Sequence, residues 1–151
     1  MGEGSVERIE SEAHKSKLLG RFAEAMALRA ELERLHDQIG ANPTEKVKNL
    51  NQLAFLAACS GAPAEAVRAA EKCLTIYRQV PNTREETLAT YLMMLAYVLA
   101  ETERFSEAIP LGEEALSLFG RFHGEQSDFF QFRAKDIESM KKEEVRPYLE
   151  R

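Results

Sequence analysis

A turn followed by Glu-Ala recurs three times along this chain of 151 residues. The copies are Gly20-Arg21-Phe22-Ala23-Glu24-Ala25, Gly61-Ala62-Pro63-Ala64-Glu65-Ala66 and Glu103-Arg104-Phe105-Ser106-Glu107-Ala108, with closing alanines 41 and 42 residues apart. The frame continues downstream through Leu28, Ala69 and Leu111, then Leu32, Cys73 and Ala115, then Leu35, Ile76 and Leu118, apolar or small each time. A fixed period of this size marks a helical repeat array, in which each unit buries its apolar face against its neighbours. The chain is therefore expected to be all-α, a single domain over 1–151 with units over about 5–41, 42–82 and 83–124.

Capping chemistry and apolar spacing divide each unit into two helices. A first helix runs from near Ser5 to Leu19, and a second from Phe22 to about Ile39, with Ala25, Leu28, Leu32, Leu35 and Ile39 on one face. Asn42-Pro43-Thr44-Glu45 predicts a capped helix start, and Ser60-Gly61 its end. A fourth helix opens at Pro63. Thr83 and Glu86 then form a capping box before a fifth helix, whose Leu92, Leu95, Ala96 and Leu99 repeat Leu50, Leu53, Ala54 and Ala57 one period on. The sixth runs from Phe105 to about Phe119 with Pro110 inside it, and Gly120 to Gly124 is read as a break. A last helix from Ser127 to about Arg146 caps the array, with Phe130, Ala134, Ile137 and Met140 on one side.

The formal charge of −5 argues against sequence-independent nucleic-acid binding, which needs a positive surface. No apolar run reaches the ~20 residues that span a bilayer, and Met1 to Glu7 lacks a basic-then-apolar signal pattern, so a cytoplasmic location and no membrane partner are expected. Gly2 is no lipidation start, because Val6 stands where Ser or Thr is needed. Cys59 and Cys73 read as reduced core thiols.

With these motifs in place, the chain resembles the tetratricopeptide repeat (TPR) proteins, and specifically the long-period type found in kinesin light chains. Leu50-Asn51-Gln52-Leu53-Ala54 is similar to that family's Leu-Asn-Asn-Leu-Ala, and Ala108-Ile109-Pro110-Leu111 with Ala115-Leu116 to its Ala-x-Pro-Leu-x-x-x-Ala-Leu. The resemblance implies a right-handed α-solenoid of three helix hairpins plus a carboxyl-terminal capping helix. It also implies that the first helix of each pair lines a concave groove. Lys48, Asn51, Gln52 and Phe55 on the third helix and Thr90, Met93, Met94 and Tyr97 on the fifth are then the candidate partner-binding residues. The alternative is that Phe55, Tyr97 and the two methionines complete a core covered by the carboxyl-terminal helix. Met93 and Met94 stand where a clamp for a terminal carboxylate would need basic residues.

No catalytic constellation, metal-ligand spacing or cofactor motif emerges. His14, His36 and His123 are dispersed, and His36 shares its repeat position with Tyr77 and Phe119, which reads as a packed ring. Phe129 and Phe132 flank the last helix's apolar stripe. Either that helix packs on two surfaces, the preferred reading, or these rings support a weak homodimer. The expected role is a non-enzymatic scaffold that binds a peptide segment of another protein. The alternatives are a sensor module for a small-molecule or peptide signal and a secretion-type chaperone.

Overall fold

The computed structural model describes residues 3–149; Met1 and Gly2, on which the reading of the amino terminus falls, lie outside the described residues, as do Glu150 and Arg151. Among the described residues there are seven α-helices and no strand: α1 (Glu3–Leu18), α2 (Phe22–Ile39), α3 (Pro43–Cys59), α4 (Pro63–Gln79), α5 (Glu85–Glu101), α6 (Phe105–His123) and α7 (Asp128–Lys141). The all-α class is the one expected.

The repeat is written into the backbone as well as the side chains. Within the hairpins, the turns place Gly20, Gly61 and Glu103 at φ 75°, 73° and 62°. Between hairpins, Gly40, Asn82 and Gly124 take φ 63°, 59° and 79°. At the hairpin turns the next amide reaches back five residues, Arg21 to Ser16, Ala62 to Ala57 and Arg104 to Leu99, at 2.8–2.9 Å. This left-handed closure satisfies carbonyls that the ending helix leaves unpaired. The same device closes α2, with Gly40 at φ 63° and the Ala41 amide bonded to the His36 carbonyl at 2.9 Å, and α7, with Glu143 at φ 55° and the Glu144 amide bonded to the Ser139 carbonyl at 3.0 Å.

The chain divides after Tyr77 into two compact units. In the first, Ile9, Leu32 and Leu35 form a cluster with Val6 and Leu28 packed against it. The α3 stripe of Leu50, Leu53, Ala54 and Ala57 is buried. Each leucine so enclosed contributes about 1.5–3 kcal/mol. The Cys73 thiol donates to the Val47 carbonyl at 3.4 Å, and burial pushes its pKa up to about 12. In the second unit the equivalent α5 stripe, Leu92, Leu95, Ala96 and Leu99, is likewise buried. The small residues Ala13, Ala54 and Ala96 on first helices, and Ala25, Ala66 and Ala108 on second helices, are all enclosed, as close helix approach requires.

Several boundaries differ from expectation. Asn42 caps α3 as read, its Oδ1 accepting the Thr44 amide at 2.7 Å. Thr83 does not cap α5: Asn82 takes the left-handed turn after Pro81, and Arg84 in extended backbone holds the cap position, its side chain not capping the helix. Helix α6 runs through Gly120 to His123, past the expected break, with the Phe130 ring 3.4 Å from where a Gly120 Cβ would lie. Helix α7 stops at Lys141, five residues short, at the Glu143 turn.

Candidate functional site

In the first unit the α3 candidates meet the end of α1. Lys48 is exposed, and Asn51, Gln52 and Phe55 are half-buried. Lys17 donates to Gln52 Oε1 at 3.0 Å while its ammonium lies 5.2 Å from the centre of the Phe55 ring. A cation, an amide and an aromatic face are thus assembled on two adjacent helices. The Asn51 Oδ1 is enclosed and has no hydrogen-bond partner among the described residues. In the sequence Lys17 reads only as one more surface charge of a weak helix.

In the second unit the α5 candidates are more deeply set. Thr90 is exposed and turns its hydroxyl back to the Glu86 carbonyl at 3.1 Å. Met94 is half-buried, whereas Met93 is 3 % exposed and Tyr97 8 % exposed. The Tyr97 hydroxyl donates to Asp136 Oδ2 at 2.6 Å, and burial together with that carboxylate raises its pKa. The other Asp136 oxygen accepts from Arg146 Nη2 at 2.6 Å. The Tyr148 ring stacks on Tyr97 with centroids 6.0 Å apart and planes 15° apart. Tyr97 is therefore covered, by α7 and by the segment that follows it.

Phe129 packs edge-on against Phe119 at 4.9 Å, beneath the Arg133 guanidinium at 3.7 Å and beside His123 at 4.2 Å. Phe130 and Ile137 meet α6 at Gly120 and Gly112, so α7 uses two of its faces within its own unit, while Phe132 stays exposed. Between α6 and α7 lies a hollow of about 720 Å³ with Leu116, Phe130, Ile137 and Lys141 in its walls, none of them among the expected groove residues.

Buried polar groups elsewhere have structural roles. Asn49 on α3 donates to the Arg29 carbonyl at 2.9 Å and accepts from its guanidinium at 3.3 Å, tying α2 to α3. Glu33 receives Arg68 at 2.7 Å and Lys72 at 2.6 Å. Burial alone would raise the Glu33 carboxyl, but these bonds hold it below its ordinary value. Among the described residues no group of three or more His, Cys, Asp or Glu side chains is arranged to hold a metal ion. No described helix is long and apolar enough to cross a membrane.

This geometry has solved counterparts. The fold matches nearly identical TPR-like repeats from a Podosopora anserina protein described as a kinesin light chain, with a TM-score of 0.78 and 16 % identity over 95 % of this chain and 70 % of that one. BtubC (BKLC) from P. vanneervenii matches with a TM-score of 0.72 and 26 % identity, over 91 % of this chain and 54 % of that one. No curated protein sequence matches. The family model for the tetratricopeptide repeat matches residues 45–121, spanning α3 to α6. The chain belongs to the tetratricopeptide repeat family, its structural neighbours being of the kinesin-light-chain-like type.

Proposed function

We propose that the chain is a non-enzymatic cytoplasmic adaptor that holds an extended segment of a partner protein against the outward face of α3. Tetratricopeptide repeats are in general protein-interaction modules. The observation that carries the finer reading is the Lys17, Gln52 and Phe55 group. An extended peptide presents alternating N–H and C=O groups, and this face offers the half-buried Gln52 amide, the Lys17 ammonium and the Phe55 ring, against which a side chain can lie. Lys48 adds a charge at the rim, and Thr90 and Met94 offer a similar though shallower surface on α5. The net charge of −5 favours a protein segment over a nucleic acid.

A photo-crosslinking residue placed at Lys48 should capture a discrete protein partner. Adding Gln52→Ala and Phe55→Ala should remove that product while leaving the helical circular dichroism unchanged. Capture that persists undiminished in the double substitution would refute the α3 face as the binding surface.

A further inference from the structure

After α7 the described residues form no further helix. The chain turns at Glu143 and returns as an irregular segment, Glu144 to Leu149, over α5 and α7. The contacts divide cleanly into two sets. Glu101 and Tyr97 on α5, and Asp136 and Ser139 on α7, are held on helices; opposite them stand Arg146, Tyr148 and two backbone amides. The amides of Tyr148 and Leu149 both donate to Glu101 Oε2 at 3.1 Å. Arg146 donates to Asp136 at 2.6 Å and to the Ser139 hydroxyl at 3.3 Å, with its guanidinium 4.2 Å from the centre of the Tyr148 ring. Tyr148 is 4 % exposed against Tyr97.

We infer that this α5–α7 face is a docking site for an extended segment of the form Arg-x-Tyr-aliphatic, with Arg146 to Leu149 its built-in, displaceable occupant. Emptying the site would strip the Arg146 guanidinium from the Asp136 carboxylate, 5 % exposed with the segment in place, and would uncover the Tyr97 ring. A carboxylate that has lost its guanidinium partner and a ring that has lost its stacking partner are best satisfied by a ligand that restores a guanidinium, a ring and consecutive amide donors. Lysine meets only the first demand and that imperfectly, because it lacks the planar fork that pairs with a carboxylate and lies on a ring.

The occupant, Arg146 to Leu149, is a segment of four residues. Lys142 to Val145, which lead into it, are exposed, and Glu143 holds a backbone conformation that side-chain-bearing residues rarely adopt. Its tether gives it an effective concentration on the order of millimolar, so a partner segment in solution must compete with it. This site is separate from the α3 face, and the two stand or fall independently.

A fluorescein-labelled peptide of residues 145–151 tests the assignment by anisotropy on the full chain. It should bind the Arg146→Ala, Tyr148→Ala variant at least about tenfold more tightly than the parent, whose own segment competes. Asp136→Asn in that background, or Ala for Arg in the peptide, should cost at least about tenfold in affinity. A variant with parental circular dichroism and melting that fails to bind the peptide overturns the proposal. Should the variant not fold, hydrogen exchange on the parent decides: Tyr148 and Leu149 amides that exchange far faster than those of α5 support a releasable segment, and exchange only through global unfolding refutes one.

Discussion

Glu103 sits at φ 62° in a turn whose two counterparts use Gly20 and Gly61. A side chain in the left-handed region costs about 1–2 kcal/mol, of which glycine's greater unfolded-state freedom returns roughly 0.5–1. Glu103→Gly is therefore expected to stabilise the chain by up to about 1 kcal/mol, and Gly61→Ala to destabilise it by about as much. No neighbouring atom lies within 4 Å of the position a Gly61 Cβ would take, so the second change tests the backbone alone. Urea denaturation at constant m-value reads both shifts, and a midpoint that moves the same way in the two variants would sink the account. The same backbone geometry explains what sequence reading missed at Glu143. Glycine marks two of the hairpin turns, but a charged residue within Lys141-Lys142-Glu143-Glu144 reads as continuing helix, and only the period itself points to a turn there.

At the level of helices, what was legible is what depends on local chemistry: the stripes of α3 and α5, the Asn42 cap and the recurring alanines. What was not legible depends on contact between helices distant in sequence. Gly120 reads as part of a break, yet it lies inside α6 with the Phe130 ring of α7 in van der Waals reach of the position of its Cβ, and at Gly112 the Ile137 side chain of α7 occupies the space a side chain would need. The three helices of the second unit meet there, and the Ala96 Cβ lies 3.7 Å from the position of a Cβ on Gly112. Ala96→Leu adds three carbons to a place with no slack and should cost about 1–3 kcal/mol. Ala54→Leu at the equivalent position on α3, also fully enclosed, should cost a similar amount. Variants that melt like the parent would mean that these alanines do not set the helix spacing. The candidate groove residues follow from the family's rule that the first helix of each pair lines the concave side. The rule does not anticipate that a returning segment covers Tyr97, nor that Lys17 of α1 reaches the α3 face.

For the molecule as a whole, acid should act in two steps. His36 is 1 % exposed with neither ring nitrogen hydrogen-bonded among the described residues. Burial lowers its pKa below the ordinary 6.5; the Glu45, Glu10 and Asp37 charges oppose that shift, and Lys46 adds to it. The unfolded chain thus takes up this proton more readily than the folded one. Stability contributed by the neutral ring is complete above about pH 6.5 and is lost as pH falls from there through the lower folded value. Glu33 and Asp37 act further down. Their burial is outweighed by bonds from Arg68 and Lys72, and from Lys46 and Lys72, so both keep their charge below the ordinary 4.5 and 3.8. Their contribution is lost only as pH falls past those values. His36→Phe separates the steps, because Tyr77 and Phe119 show that the repeat position accepts a six-membered ring. Thermal melts from about pH 8 to 5 should show the parent's Tm declining below roughly pH 6.5 and the variant's staying flat, with a common decline in stronger acid. Equal declines in both chains from the outset would assign the first step to some other group.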